Sequence, residues 1–261
     1  SNQSNNLFQN TASRKPILED SVINKLPAVY FDGNDRFDSP NMQLSDAEFF
    51  FIYRGENSSN KIFGFQNGYR DRFNGNGGIL YLANNNFQYY NYLNEPNKFQ
   101  LHNFSFLNGK ANHPSGSLRI NNVNIPKAFG IGSTSNNINN LLLGTFKGHF
   151  AELIIFDTLV SEEHRNAVSI YLIDKFAPRV NLGSDILIEY GFCDKELFSL
   201  NEYKYDSYLW STGSTDSLVT VNEPGVYWLE TVDLFGRTTR DTIIVNRPPY
   251  DDVQLQNQLV C

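Results

Sequence analysis

Most apolar residues of the chain fall in short runs that are rich in aromatic and β-branched side chains and are separated by Gly and Asn clusters. This pattern predicts β-strands joined by turns. In the first part of the chain the predicted strands are Ala28 to Asp32, Glu48 to Arg54, Lys61 to Gln66, Gly78 to Ala83, Phe87 to Leu93, Phe99 to Leu107, Ser117 to Ile120 and Leu141 to Phe146. Such a series with almost no helix predicts an antiparallel two-sheet sandwich. Residues 1–15 are rich in Asn, Ser and Gln, and by themselves are typical of a disordered leader.

The segment from Gly148 to Phe176 predicts a strand, a turn and a helix. Phe150 to Phe156 is an apolar run with one charge, Glu152, and this predicts a strand covered on both faces. Ser161 is predicted to cap the helix, because its side chain can accept a hydrogen bond from an unpaired backbone amide. The residues that support the helix are the acidic pair Glu162 and Glu163, the apolar Val168, Tyr171, Leu172 and Phe176, and the terminating Pro178.

The pattern changes after Pro178. Short β-rich runs continue, but they are closer together and are separated by Ser-Thr-Gly and Pro-Gly turns: Ile186 to Tyr190, Ser207 to Trp210, Ser217 to Val221, Gly225 to Val232 and Asp241 to Val245. Their length and spacing predict a small immunoglobulin-like β-sandwich. The predicted organisation is a first domain over residues 1–178, an immunoglobulin-like module over 179–247, and a linker with the start of a further module over 248–261.

Composition limits the classes of partner. The chain has 261 residues and a net charge of -7, and it contains no long basic run. Nucleic acid is therefore not an expected partner, because its binding requires clustered Lys and Arg. No stretch approaches the roughly 20 apolar residues of a membrane helix, so we expect no membrane insertion. The two cysteines, Cys193 and Cys261, form neither a metal-ligand pattern nor a dense disulfide framework.

Catalytic patterns are weak. Glycoside hydrolases need two carboxylates on either side of the scissile bond, and no strand carries acidic residues at the required spacing. The adjacent Glu162 and Glu163 are better explained by the helix start, and Glu152 stands alone in its strand. The four histidines (His102, His113, His149 and His164) have no nucleophile partner, so surface or loop roles are expected for them. The sequence therefore predicts a protein that is not an enzyme.

Asp32, Asn34 and Asp35 form an oxygen-rich loop together with Asp38. Calcium is bound by several carboxylate and carbonyl oxygens, so calcium is the one cofactor that the sequence leaves open. The alternative is a tight turn stabilised by Asx hydrogen bonds, which the absence of an EF-hand pattern favours. No other cofactor is expected.

The segment around residues 84–92 has the most ligand-like composition. Sugar sites commonly combine an aromatic platform with amide groups, and the candidate ligand-binding residues are Asn84, Asn86, Tyr89, Tyr90 and Tyr92. The alternative is that alternate Tyr side chains fill a sandwich core. In the second region, Trp210 and Trp228 are both expected to pack in the core of the module.

Three separated blocks of sequence resemble one family. The blocks occur in the order found in the laminin G-like branch of the concanavalin A-like jelly rolls. They are NTASRKPIL, LPAVYFDGNDRFD and GHFAELIIFDTLVSEEHRNAVSIYLIDKF. The resemblance covers about residues 4–177 and implies a jelly-roll sandwich. Glu152 matches a Glu in the family's Ala-Glu-hydrophobic pattern, which implies a structural role in which it holds a loop amide. That family normally has one more strand before the first block, which implies that the chain comes from a longer polypeptide whose first strand is missing here.

The second region is similar to the immunoglobulin-like or PKD-like modules of large secreted surface proteins of Bacteroidota. The similarity is carried by Cys193, YDSYLWSTGSTDSLVTV, EPGVYWLETVDLFGR and DTIIV. Such modules often have a cysteine after the glycine that matches Gly236, and here Arg237 occupies that place. The resemblance therefore implies no disulfide within the module, and it implies that Cys261 begins a further module. Whether Cys193 or Cys261 is paired stays open.

Four short segments resemble the Asp-Ser/Thr-aliphatic motif that is O-glycosylated in Bacteroidota. The hydroxyl residues of these segments are Ser21, Thr158, Ser217 and Thr242. The motif is only three residues long, so chance matches and matches inside strands are expected among them.

Together these resemblances imply an extracellular, cell-surface adhesin-like protein that is exported by the type IX secretion route. The jelly roll would bind a glycan or a surface protein, and the immunoglobulin-like module would be a spacer. One alternative is that both are accessory domains of a secreted glycoside hydrolase or protease. A second alternative is an architectural stalk or secretion cargo that is held by secretion or outer-membrane components.

Overall fold

The computed structural model describes residues 7–39, 43–56, 62–65, 79–82, 86–90, 97–106, 118–125, 127–131, 138–139, 141–144, 146–188, 194–201 and 203–247. The chain divides into two compact units, residues 1–176 and 177–261. Each unit is built mainly of β-strands, and each is described by itself.

The first unit contains a short 3₁₀ helix (Ala12–Arg14), an α-helix and a series of strands. In chain order the strands are β1 (Ile17–Ile23), β2 (Leu26–Asp32), β3 (Arg36–Asp38), β4 (Gln43–Leu44), β5 (Ala47–Gly55), β6 (Phe63–Phe65), β7 (Ile79–Leu82), β8 (Asn86–Tyr90), β9 (Gln100–Phe106), β10 (Leu118–Ile120), β11 (Val123–Ile125), β12 (Lys127–Ile131), β13 (Ile138–Asn139), β14 (Leu141–Gly144) and β15 (Lys147–Phe156). The α-helix, α1, spans Glu162–Phe176.

Seven of these strands form one antiparallel sheet in the order β1-β2-β15-β5-β9-β10-β11. The smaller sheets are β3-β14-β6, β12-β8-β7 and the pair β13-β4. The main hydrophobic core lies between one face of the seven-stranded sheet and the β3-β14-β6 layer, because Phe49 and Phe51 of β5 share one cluster with Phe37 of β3 and Leu143 of β14. The unit is therefore a two-layer sandwich.

The opposite face of the seven-stranded sheet carries α1 and is called the helix-bearing face below. Successive residues of a strand point to opposite faces, so β5 sends Phe49, Phe51 and Tyr53 to the core and Glu48 and Arg54 to the helix-bearing face. Residues 47–53 of β5 are buried on both faces, which makes β5 the central strand of the unit.

A β-bulge lies within β15. The pairing with β5 shifts between Phe150 and Glu152, so that Ala151 is an extra residue. The bulge keeps Phe150 and Leu153 in the core and places His149 and Glu152 on the helix-bearing face. Gly148, next to His149, has a φ of +146°, and a Cβ at this position would lie 2.1 Å from the carbonyl oxygen of Arg54. Only glycine allows β15 to approach β5 this closely.

The second unit has six strands in its described part: β16 (Ile186–Leu187), β17 (Lys195–Phe198), β18 (Ser207–Trp210), β19 (Leu218–Val221), β20 (Gly225–Val232) and β21 (Thr238–Asn246). One sheet has the order β16-β21-β20-β18, with β16 parallel to β21, and β17 and β19 form a second sheet. The core contains Leu197 and Val221 from the pair and Trp210, Leu229 and Ile243 from the larger sheet. This unit is a small two-sheet sandwich.

The predicted fold class, an all-β jelly-roll sandwich with one short helix, is confirmed for the first unit. The disordered leader is wrong in its second half, because Phe8 forms a backbone bridge with Asp38 and residues 12–14 are helical. The expectation for Trp228 is also wrong. Trp210 is in the core, but Trp228 lies beneath the guanidinium of Arg240, which is 4.0 Å from its ring centroid.

Candidate functional site

Two groups of polar side chains lie on the helix-bearing face. The first, called the glutamate latch, consists of Glu48, Asn103, Arg119, Glu162 and Arg165, and lies at the N-terminal end of α1. The second, called the rim cluster, consists of Glu19, Tyr30, Arg54, Phe99 and His149. It lies around Arg54, which is two residues beyond Ile52 on the same face of β5.

Glu48 is the centre of the latch and is completely buried. Its carboxylate accepts hydrogen bonds from both Nε and Nη2 of Arg165, from Nδ2 of Asn103 at 2.9 Å and from the backbone amide of Val160 at 3.1 Å. A buried charge of this kind is tolerated only when it is paired and hydrogen-bonded. The latch therefore ties the start of α1 to the central strand.

Glu162 extends the latch from the first turn of α1. Its carboxylate accepts hydrogen bonds from Nη2 of Arg119 and, at 2.9 Å, from Nη1 of Arg165. The hydrogen bond from Arg119 is the main cause that lowers the pKa of Glu162. The predicted cap at Ser161 is confirmed, since its Oγ accepts a hydrogen bond from the amide of His164 at 3.2 Å.

Glu152 does not have the role that the sequence predicted. Its Oε2 accepts a hydrogen bond from Nζ of Lys175 at 2.9 Å, which fixes the C-terminal end of α1, whereas the loop amide is held by Glu48. The hydrogen bond to Glu152 is also the main cause that raises the pKa of Lys175. Glu48, Glu152 and Glu162 thus each have a basic partner, and they serve the attachment of α1.

The rim cluster is built around His149 and Arg54, which are opposite each other on β15 and β5. Nδ1 of His149 lies 2.9 Å from Nη2 of Arg54, and its Nε2 lies 2.8 Å from Oε2 of Glu19. A guanidinium can only donate and a carboxylate can only accept, so the proton is on Nε2 and the lone pair of Nδ1 faces Arg54. Glu19 therefore orients His149, and His149 orients Arg54.

Aromatic rings fix the remaining sides of the rim cluster. The guanidinium carbon of Arg54 lies 4.8 Å from the ring centroid of Phe99, and the ring of Tyr30 is 5.0 Å from that of His149. Phe99 and His149 are buried, whereas Tyr30 and Arg54 are partly exposed and the Glu19 side chain is 44% exposed. The cluster is therefore a rigid group whose outer members are accessible.

Lys147 lies beside the rim cluster, two residues before His149. Its Nζ is 2.9 Å from Oε2 of Glu56. This hydrogen bond is the main cause that raises the pKa of Lys147, and Tyr30 contributes in the same direction. The rim cluster, together with Lys147 and Glu56 beside it, thus provides cationic donors, carboxylate acceptors and one partly exposed phenol ring in a small area.

The candidate calcium loop is held together by its own hydrogen bonds. Oδ1 of Asp32 accepts from the amides of Asn34 and Asp35 at 2.7 and 3.1 Å, and Oδ2 of Asp35 accepts from the amide of Asp32 at 3.0 Å. Burial raises the pKa of Asp35. Within the described ranges, no group of three or more His, Cys, Asp and Glu side chains is arranged to hold a metal ion. Calcium binding at Asp32, Asn34 and Asp35 stays a prediction.

The candidate glycan residues are placed only in part. Asn84 and Tyr92 lie outside the described residues, whereas Asn86, Tyr89 and Tyr90 belong to β8, the central strand of the sheet β12-β8-β7. In this sheet Tyr89 is paired with Ile79 and with Phe129. Their role in ligand binding stays a prediction.

The candidate O-glycosylation residues, Ser21, Thr158, Ser217 and Thr242, are all exposed. Ser21 lies at an irregular position of β1 with a φ of +57°, and Thr242 lies within β21.

Two histidines differ from the surface role expected for them. His102 is completely buried, and its ring is 5.1 Å from that of Phe51 and 4.9 Å from that of Tyr53. Burial lowers the pKa of His102 to about 3. His149 is buried in the rim cluster, His164 is exposed, and His113 lies outside the described residues.

The sequence did not identify Arg54, Tyr30, Phe99 or Glu19 as site residues. The available signal is that Arg54 ends an apolar run, and nothing local connects it with His149, which is 95 positions later. Strand pairing creates the cluster, so only the fold reveals it. The part of the chain that the structure describes contains no helix with the length and apolar character of a membrane span.

The chain matches no protein-family model and no curated protein in sequence. It is similar in structure to domain 4 of AbnA, a GH43 extracellular arabinanase from Geobacillus stearothermophilus solved with arabinotriose, with a TM-score of 0.40, 14% identity, and 59% of this chain and 81% of that chain covered. It is also similar to the receptor-binding domain of botulinum neurotoxin type G, with a TM-score of 0.44, 12% identity and coverages of 95% and 75%. Domains LG4-5 of the mouse laminin α1 chain give a TM-score of 0.34, 10% identity and coverages of 90% and 84%. No ligand or residue role is carried over from these proteins.

Proposed function

We propose that the first unit is a non-catalytic, extracellular binding domain and that the rim cluster is part of its ligand surface. The observation that supports this most is the chain of contacts from Glu19 through His149 to Arg54, which fixes a partly exposed guanidinium. Polar groups that are fixed before the ligand arrives lose little entropy on binding, and this is the arrangement that favours recognition.

The pairing of Glu48, Glu152 and Glu162 argues against a catalytic role for these three carboxylates. A general acid and a general base need carboxyl groups that can exchange protons near neutral pH. Glu48 and Glu162 accept hydrogen bonds from arginines, and Glu152 accepts one from a lysine, so each of these carboxylates already has a basic partner within the unit. These residues are suited to holding α1 and not to hydrolysing a glycosidic bond.

The proposed ligand is a glycan, and a surface protein is the second candidate. A polyhydroxylated sugar can use the mixed donors and acceptors of the rim cluster together with the ring of Tyr30. A second segment is also proposed to contact the sugar. It consists of Asn86, Tyr89 and Tyr90 on β8, together with Asn84 and Tyr92, which lie outside the described residues.

The proposal extends to the second unit and to the location of the protein. The second unit is proposed to be an immunoglobulin-like spacer, supported by its two-sheet core around Trp210. Export by the type IX route and an adhesive role at the cell surface are proposed from the sequence resemblance. The exposure of Ser21, Thr158, Ser217 and Thr242 supports O-glycosylation at these positions.

The experiment that tests the proposed function is a glycan array of the purified chain, combined with pull-down on immobilised polysaccharides. We expect binding to a defined set of glycans with no release of reducing ends from those glycans. Release of reducing ends would favour the accessory-enzyme alternative. A blank array together with a stoichiometric co-purifying protein would favour the stalk or cargo alternative.

A further inference from the structure

Arg54 differs in its pairing from five other arginines of the chain. Arg36, Arg119, Arg165, Arg237 and Arg240 each form an ion pair with a carboxylate. In the described part of the chain, the side-chain partners of Arg54 are the imidazole of His149 and the ring of Phe99, and neither is a carboxylate. Its positive charge is therefore oriented but not neutralised.

The contacts of Arg54 leave part of its guanidinium for a ligand. Nη2 donates to His149, and Phe99 lies against the guanidinium, so the group cannot rotate freely. A guanidinium carries five N–H donors in a planar fork that matches the two oxygens of a carboxylate. A carboxylate that binds here would neutralise a partly buried charge and would not have to displace a protein carboxylate from it.

We propose that the rim cluster is the recognition site for a carboxylate-bearing sugar, such as a uronic or sialic acid residue, with Arg54 binding the sugar carboxylate. This inference rests on the proposed function and specifies the chemistry of its ligand. The carboxylate pairs with Arg54, the sugar ring lies near the partly exposed ring of Tyr30, and the ion pair of Lys147 and Glu56 lies at the same edge.

The surroundings favour an acidic sugar over an acidic peptide. Glu19 and Glu56 border the site, and both are partly exposed. Sugar hydroxyls can donate hydrogen bonds to these carboxylates, whereas a run of Asp and Glu side chains would be repelled by them. The combination of one unneutralised arginine with two acceptor carboxylates fits a ligand that has both one carboxylate and many hydroxyls.

The test uses the full chain and a panel of oligosaccharides ending in uronic or sialic acid, each compared by calorimetry with its own methyl ester. The ester keeps the hydroxyls and the ring but removes the charge. We expect at least one acid to bind at least about tenfold more tightly than its ester, because a charge-assisted pair is lost. Equal affinities for every acid and its ester would overturn the inference.

Two variants locate the site. Arg54→Gln is expected to reduce the affinity for the acid by at least about tenfold and to leave the affinity for the ester unchanged. Arg240→Gln, which removes an exposed arginine on the second unit, is the control and should change neither. If Arg54→Gln binds the acid like wild type, the inference is wrong. If Arg54→Gln does not fold, as judged by its thermal transition, the acid-ester comparison on the wild-type chain decides alone.

The two proposals fail in different ways. If neutral glycans bind on the array but no acid is preferred over its ester, the carboxylate site is wrong and the binding domain stands. If no glycan of either kind binds, the glycan part of the proposed function fails together with the inference.

Discussion

Three buried polar side chains of the first unit, Glu48, His102 and His149, differ in the groups that surround them. The carboxylate of Glu48 accepts hydrogen bonds from Arg165, Asn103 and the backbone amide of Val160. His102 is neutral because it lies among aromatic rings, where desolvation opposes the charged form. His149 lies between Arg54, which faces its Nδ1, and Glu19, which faces its Nε2. Residue type alone does not distinguish the two histidines.

The burial of His102 predicts a loss of stability in acid. The pKa is about 3 in the folded protein and 6.5 as the ordinary value, so below pH 6.5 the unfolded chain takes up a proton that the folded chain does not. This contribution is fully present above pH 6.5 and is lost as the pH falls towards 3, by about 3 kcal/mol between pH 7 and pH 4.5.

The variant His102→Phe keeps a ring between Phe51 and Tyr53 and removes the titrating group. Urea unfolding at pH 7 and pH 4.5 should show a loss of stability on acidification that is about 3 kcal/mol smaller than in wild type. His164→Gln, at an exposed position, should leave the wild-type loss unchanged. An equal acid loss in His102→Phe and wild type would show that His102 is not protonated on unfolding.

At the scale of elements, α1 is attached to the sheet by ion pairs at both ends. The pair Glu48–Arg165 at the N-terminal end is buried, with side-chain exposures of 0% and 12%, whereas Glu152–Lys175 at the C-terminal end has exposures of 26% and 36%. Removing one partner of a buried pair leaves the other charge without compensation, whereas water replaces a lost partner at the surface.

We therefore expect Glu48→Gln to lower the free energy of unfolding by about 3 kcal/mol, since Arg165 stays largely buried and keeps only the exposed Glu162 as a carboxylate partner. Glu152→Gln is the matched control and should cost less than about 1 kcal/mol. Chemical denaturation measures both. The double variant Glu48→Leu with Arg165→Leu should recover part of the loss, and similar costs for Glu48→Gln and Glu152→Gln would contradict the asymmetry.

The contact between β5 and β15 depends on Gly148. A Cβ there would lie 2.1 Å from the carbonyl oxygen of Arg54, so Gly148→Ala must move the two strands apart. We expect a loss of at least about 2 kcal/mol in thermal or urea unfolding. Gly33→Ala is the control, because Gly33 also has a positive φ but has open space around it. Gly33→Ala should lower the free energy of unfolding by only about 1 kcal/mol. An equal loss at both positions would show that backbone strain, and not the contact with Arg54, determines the loss at Gly148.

At the scale of the molecule, each unit has its own hydrophobic core. The second unit begins at Ala177, because Val180 lies in its core and the hydroxyl of Tyr205 donates to the carbonyl of Pro178 at 3.2 Å. Independent cores are the property that lets domains fold separately.

A fragment of residues 177–261 should therefore unfold in one cooperative thermal transition by itself. A fragment of residues 181–261, which lacks Val180 and Pro178, should be less stable or unfolded because it loses a core side chain and the Tyr205 hydrogen bond. Circular dichroism during heating checks both. A non-cooperative transition in the longer fragment would show that the second unit depends on the rest of the chain.

Local pattern by itself determined the fold class and many of the elements. The runs at Glu48 to Arg54 and Phe150 to Phe156 became β5 and β15, and the Ser161 cap and Pro178 bounded α1, because strand period, capping and proline geometry act over a few residues. Strands with weaker apolar character, such as β1 and β17, were missed because sheet pairing stabilises them and their own composition does not.

Only the tertiary structure decided which polar residues meet. Glu48 is hydrogen-bonded to Arg165, which is 117 positions away in the sequence, and Glu19 to His149, which is 130 positions away. These contacts form because neighbouring strands and the helix that packs on them bring distant segments together. The sequence therefore pointed to Glu152 as the residue that holds a loop amide, while strand register gave that role to Glu48 and placed Arg54 in the rim cluster. Chemistry that depends on a partner far along the chain has no local signal, since the free energy that fixes it comes from packing and pairing of the whole sheet.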